Sequence, residues 1–181
     1  MRTVTKIITY VTAIVLCIIL AGFLVFKVAQ TIFPLRYEEY IEQYSAEYGL
    51  DKYDVMGIIY VESKFVPLAK NDNEQGLMMI PADTVKGVAK ELGLEYEPKM
   101  AFDVETNIRM GCFYLAYLKE LYPIEDTYLM AYNIGPGTVQ SWIEDEANTI
   151  DGERLYYIPD DGTRDYVKKI HNFAKVYEFL Y

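Results

Sequence analysis

A carboxyl group at position 62 stands where an apolar side chain is expected. In the stretch VMGIIYVESKF, Val55 to Phe65, residues 55, 58 and 59 share one helical face, and the next position on that face is Glu62. An ionised carboxylate on such a stripe is costly unless it is paired or kept protonated. A carboxylic acid that stays protonated near neutrality can give its proton to a leaving group. The plainer alternative puts Glu62 at the edge of the stripe, paired with Lys64 or another basic residue. Two further segments bear on this choice. Gly76-Leu77-Met78-Met79-Ile80-Pro81 follows NDNEQ, which ends in Gln75. It reads as a loop turning inward, either plugging the core with methionine, an adaptable filler, or walling a cleft beside Glu62. Ala131-Tyr132-Asn133-Ile134-Gly135-Pro136-Gly137 reads as a tight backbone corner. It presents Tyr132 and Asn133 either to the core or to a polar ligand and Glu62.

The elements that must position these groups are helical. A helix is expected from Pro34 to about Tyr48, with residues 37, 41, 44 and 48 on one side and Gly49 as its stop. Asp51 is placed to cap the next helix, which runs to about Lys64 and carries Glu62. Val66 to Gly76 reads as a polar loop. Further helices are expected from Ala82 to Leu92, from Asp103 to Tyr122, from Asp126 through Ala131, from Pro136 to about Glu144, and from Thr163 to the C-terminus. Glu146 to Gly162 is polar and turn-rich, and no alternating strand pattern of useful length appears. The pattern therefore gives an all-α domain; helix periodicity alone leaves an elongated bundle and a lysozyme-like fold open.

Ahead of this domain, Ile7 to Phe26 contains no charged residue and is bracketed by Lys6 and Lys27. Twenty helical residues span about 30 Å, the thickness of a bilayer core. The run is long for a signal peptide and lacks an Ala-x-Ala site behind it. Residues 1–29 are accordingly read as a tail and single transmembrane anchor, and 30–181 as the folded domain; so short a tail is the usual inside end of such an anchor, which makes the tail cytoplasmic and the domain extracytoplasmic. Charge counting orients the helix little, with Arg2 and Lys6 before it and Lys27 and Arg36 after it. From residue 28 onward, 14 basic residues face 27 acidic ones, a balance of −13. No basic footprint for a nucleic acid exists. The two cysteines, Cys17 and Cys112, lie in separate helical segments and are not expected to pair. A single histidine, His171, gives no basis for a histidine metal site or a Ser-His triad, so neither a metal nor a cofactor is expected.

Taken in order, Glu62-Ser63, Gly76-Leu77-Met78 and Ala131-Tyr132-Asn133 with Gly135-Pro136-Gly137 resemble the three signature motifs of the soluble lytic transglycosylase family. Thr106-Asn107-Ile108-Arg109-Met110-Gly111, followed by Tyr114-Leu115, resembles the family's "ETNI..G" helix, and Thr163-Arg164-Asp165-Tyr166-Val167 its "TR.YV" helix. The resemblance runs from about Pro34 to Tyr181. It implies a goose-type-lysozyme-like helical fold and cleavage of the β-1,4 bond between N-acetylmuramic acid and N-acetylglucosamine in peptidoglycan, with a 1,6-anhydro end as product. It implies Glu62 as acid and then base, with Ser63, Gln75, Gly76, Leu77, Met78, Met79, Tyr132, Asn133 and Tyr166 around the substrate. This chemistry accommodates a lone carboxyl, because the sugar's N-acetyl group can assist departure where most glycosidases use a second carboxylate. Peptidoglycan strands are the implied partner, and a cell-wall-spanning or division complex is among the machines such enzymes serve.

The sequence departs from the family pattern at Met79, where glutamine is usual, at Gly162, where an acid is common, and at Pro81, one residue early. Two alternatives share the fold. A hydrolytic muramidase would need a group to position water, for which Asp72, Glu74 and Asp83 are candidates. A non-catalytic wall-binding component would bind strands without cutting them.

Overall fold

The computed structural model describes residues 2–149 and 152–181. Helix α1, Arg2–Ile32, has the length and apolar composition to cross a membrane, properties that a signal sequence near the N-terminus shares. The body, Arg36–Phe179, is described separately. It contains α2 (Glu38–Glu47), α3 (Lys52–Ser63), a two-residue hairpin of β1 (Glu74–Gln75) and β2 (Ile80–Pro81), α4 (Ala82–Glu91) and a 3-10 turn over Pro98–Phe102. Helices α5 (Val104–Leu121), α6 (Glu125–Ile134), α7 (Pro136–Glu144) and α8 (Asp161–Leu180) follow. Helix α5 is the hub, packing against α2, α4 and α6. Its inward residues Ile108, Cys112, Leu115 and Leu118 are all buried.

Most helix boundaries follow local rules. The Asp51 carboxylate accepts from the Tyr53 and Asp54 amides at the start of α3, and the Asp103 carboxylate accepts from the Thr106 amide at the start of α5. Val55, Ile58 and Ile59 are fully buried, as the stripe in α3 requires. Four expectations need correction. Helix α2 starts at Glu38 rather than Pro34, because Tyr37 before it is left-handed with φ 58°. Helix α6 runs Glu125–Ile134, starting one residue before Asp126 and continuing three residues past Ala131. Helix α8 begins at Asp161, two residues before Thr163. The β1–β2 hairpin and the 3-10 turn are too short to leave a periodic signal. Within the expected 146–162 loop, Ile150 and Asp151 lie outside the described residues.

Six of the 18 tyrosines, at 44, 122, 128, 132, 166 and 177, are buried. Among them Tyr44, Tyr122, Tyr132 and Tyr166 donate to defined acceptors, as burial of a phenol demands. Tyr44 donates to Glu105 Oε1 at 2.8 Å and Tyr122 to the Pro136 carbonyl at 2.9 Å. The other two donors, Tyr132 and Tyr166, lie close to Glu62.

Candidate active site

Glu62 sits in the last turn of α3, partly buried, and its Oε1 accepts a hydrogen bond from the Tyr166 hydroxyl of α8 at 2.5 Å. Lys64, the alternative partner in sequence, is exposed at the C-cap of the helix. Burial pushes the Glu62 carboxyl up to about 7; the Tyr166 hydrogen bond opposes that rise and the nearby Glu74 charge adds to it. Near neutrality the carboxyl is therefore divided between its acid and carboxylate forms, where an ordinary glutamate is almost wholly ionised. Gly57 sets the spacing of the two helices. A Cβ there would stand 2.9 Å from the Ile170 carbonyl oxygen and 3.2 Å from the Ala174 amide nitrogen, both backbone atoms of α8. The missing side chain lets α3 and α8 approach closely enough for Tyr166 to reach Glu62. Just beyond the acid, Lys64 and the fully buried Phe65 are both left-handed, with φ 51° and 62°, an unfavourable conformation that the packed Phe65 ring holds in place.

The 76–79 loop is fixed from beneath by Asn107 on α5. Its Oδ1 accepts from the Met78 amide at 2.9 Å, and its Nδ2 donates to the carbonyls of Ala101 at 2.8 Å and Gln75 at 3.3 Å. Gly76 has φ +83°, and a Cβ there would fall 1.9 Å from the Ala101 oxygen, so both conformation and space require glycine. One turn on from Asn107, a Cβ at Gly111 would stand 2.2 Å from Met78 Sδ; glycine makes the bed in which the Met78 side chain lies. Tyr132 on α6 closes the loop from the other side, donating to the Met78 carbonyl at 2.7 Å. Its phenol also feels the Glu62 charge, which together with burial keeps it well above its ordinary range. Gly135, with φ +91°, ends α6 and starts α7 in a conformation other residues avoid.

The remaining residues singled out in sequence fall in three groups. Leu77 and Met78 are fully buried and act as supports of the loop, while half-buried Met79, with φ 45°, is the side chain the loop presents. Ser63 is buried and donates to the Ile59 carbonyl of its own helix at 3.1 Å. Asn133 is exposed, and its Oδ1 accepts from the Thr163 hydroxyl at 3.0 Å, tying the α6 corner to the start of α8. Glycine at 162 leaves the ion pair of that turn intact: Asp161 pairs with Arg164, and the Asp160 carboxylate caps the Thr163 amide at 2.5 Å, an interaction that lowers its pKa. Asn107 and Thr163 lie inside motifs legible in the sequence, but their positioning roles come from contacts across 29 and 30 residues. Gly57 carried no signal beyond being a glycine inside a helix.

Away from this site, Asp54, Glu125 and His171 bring one ligand atom each within 4.8 Å of one another. Both His171 nitrogens already face carboxylates there, Nε2 at 2.7 Å from Asp126 and Nδ1 at 3.4 Å from Glu125.

A partly buried acid on one helix, a phenol on the last helix and a clamped Gly-Leu-Met loop define a lysozyme-like arrangement, and the comparisons agree. The transglycosylase SLT domain family matches residues 39–154, and the chain belongs to that family. The chain is 30% identical over 153 residues to the soluble lytic murein transglycosylase of Escherichia coli K12, covering 82% of this chain and 24% of that protein. It is also 30% identical over 166 residues to membrane-bound lytic murein transglycosylase C of Mannheimia succiniciproducens, covering 78% of this chain and 46% of the other. The crystal structure of the 70 kDa soluble lytic transglycosylase from Escherichia coli superposes with a TM-score of 0.73 at 29% identity, over 83% of this chain and 25% of that one. An inactive Glu-to-Gln mutant of the lytic transglycosylase Slt from Pseudomonas aeruginosa gives 0.71 at 26% identity, over 80% and 24%. The chain thus spans about a quarter of the length of its first soluble relatives, and the shared part is the lysozyme-like helical domain.

Proposed function

We propose that this chain is a membrane-anchored lytic transglycosylase whose residues 30–181 cut peptidoglycan on the extracytoplasmic side, with residues 1–29 as a single-pass anchor. The observation that carries the reading is the Glu62 carboxyl, partly buried, raised to about 7 and hydrogen-bonded to a phenol rather than to a cation. In its acid form Glu62 protonates the glycosidic oxygen as the bond to muramic acid C1 breaks, with the N-acetyl oxygen closing on C1. The C6 hydroxyl then attacks C1, displaces the acetyl oxygen and gives its proton to the Glu62 carboxylate, which regenerates the acid and leaves a 1,6-anhydro end. Tyr166 steadies the carboxylate form between these steps. Tyr132 and Asn107 hold the 76–79 loop that forms the adjoining wall, with Met79 and Gln75 facing the strand; Ser63 keeps the end of α3 in place, and Asn133 braces the corner.

Full-length protein in detergent, given purified peptidoglycan, is expected to release anhydro-ended muropeptides, and Glu62→Gln is expected to remove at least about 99% of that activity. Retention of wild-type activity by the variant would sink the assignment. One observation favours a hydrolytic alternative. Glu74, whose charge reaches Glu62, is a second carboxylate near the site, although its Oε2 already accepts from Asn71 at 2.7 Å. Asp72 and Asp83 are exposed, and Asp83 pairs with Lys86. Mass spectrometry separates the readings, because a reducing-end product is heavier than an anhydro product by one water.

A further inference from the structure

The cluster of Asp54, Glu125 and His171 draws one ligand atom from each of three helices, α3, α6 and α8. The same three helices carry Glu62, Tyr132 and Tyr166. Asp54 and His171 are half-buried and Glu125 is exposed. Charge pairing is the ordinary account: Glu125 and Asp126 are acids in the first turn of α6, where a helix favours them, and His171 pairs with both. Three observations go further. The imidazole Nε2 stands 2.7 Å from Asp126 Oδ1, and a carboxylate only accepts, so Nε2 carries a proton. In the neutral ring Nδ1 is then the nitrogen with the lone pair, and it faces Glu125 Oε1 at 3.4 Å. Two ligand atoms of a tetrahedral zinc ion stand about 3.3 Å apart. A histidine held through its far nitrogen by a carboxylate is the common support of a metal ligand. Among the described residues, moreover, no lysine or arginine forms an ion pair with Asp54, Glu125 or Asp126. Finally, Tyr128 on α6 is only 6% exposed, and its hydroxyl has no hydrogen-bond partner among the described residues. That phenol lies within reach of the charges of Glu125, Asp54, Asp51 and Asp126.

We infer that Asp54, Glu125 and His171 form a binding site for a divalent transition-metal ion of the zinc class, which clasps α3, α6 and α8 together. One imidazole nitrogen with two carboxylates suits such an ion, whereas calcium and magnesium take sets of oxygen ligands. His171 Nδ1 and one oxygen each from Asp54 and Glu125 supply three ligands, and water takes the fourth position. Asp126 orients the imidazole, and the Tyr128 hydroxyl is open to bond the water. The ion supplies the counter-charge that no lysine or arginine provides, and the excess of acidic residues in the body draws cations toward it. The site stands on its own ligands and does not depend on how Glu62 is used.

The test uses the full chain in detergent micelles, stripped with EDTA and exchanged into chelator-free buffer, with zinc chloride as the probe in titration calorimetry and thermal unfolding. At about 100 times Kd, zinc is expected to raise Tm by about 5–10 °C. His171→Ala and Asp54→Asn, each checked for a parent-like Tm in EDTA, are expected to weaken zinc binding by at least about tenfold and to lose most of that rise. Asp126→Asn keeps all three ligands and removes only the group that orients the imidazole; it is expected to weaken zinc binding by about tenfold. A parent chain whose Tm does not respond to zinc overturns the site and leaves charge pairing alone. A full response in His171→Ala also overturns it, because the ion then binds elsewhere. If His171→Ala or Asp54→Asn does not fold, unchanged zinc affinity in Asp126→Asn is the result that overturns it. Calcium chloride giving a rise as large as zinc, lost in the same variants, overturns the assignment to a transition metal.

Discussion

Tyr166 and Glu62 are 104 residues apart in sequence and 2.5 Å apart in space. The phenol donates to the carboxylate, so it favours the charged form and works against burial. Tyr166→Phe removes that donor and should raise the Glu62 pKa above about 7. The acid form would then persist to higher pH, and the alkaline limb of the pH–rate profile should move upward by about one unit, with lower activity below it because the returning carboxylate loses its stabiliser. A limb that stays in place would show that Tyr166 does not govern this ionisation. At this scale the sequence was readable in part. Glu62 announced itself as the one charge on an apolar face, since burial is encoded in local periodicity. Its partners did not, because a hydrogen bond between distant helices has no local signature and only matching motifs pointed to Tyr132 and Tyr166. Met79 was legible as a departure, yet its left-handed backbone was not.

The contact between α3 and α8 depends on one absent methyl group. Gly57→Ala would drive a Cβ against the Ile170 carbonyl and the Ala174 amide, backbone atoms that cannot rotate away. The variant should lose about 1–3 kcal/mol of stability in chemical denaturation. It should also lose activity disproportionately, because separating the helices lengthens the Tyr166–Glu62 hydrogen bond; an unchanged denaturation midpoint would refute this packing account. Elements with strong periodicity or a capping carboxylate, such as α3 and α5, were read to within a residue or two. The misjudged start belongs to α2, whose first turn lacks a side-chain cap and where Pro34 offered a plausible but wrong beginning. The hairpin at 74–81 escaped notice because a pair of two-residue strands is made by loop geometry, which Asn107 imposes from another helix.

For the molecule as a whole, family membership is carried by residues 39–154, while α1 lies outside that match. With an apolar run this long, the full chain should sediment with membranes and resist extraction by salt or alkaline carbonate, and a chain starting at residue 30 should not. Recovery of full-length chain in the aqueous phase would remove the anchor from the proposal. The charge balance of −13 beyond residue 27 belongs to the same scale, and it was evident from composition alone.

The placement of the two thiols carries a practical consequence. Cys112 is fully buried, with its pKa driven far upward, and Cys17 lies in the middle of α1. In a bilayer, neither would meet a water-borne maleimide. A single cysteine introduced on the body's surface would then be the sole target for a spin label or fluorophore, with no native residue needing replacement first.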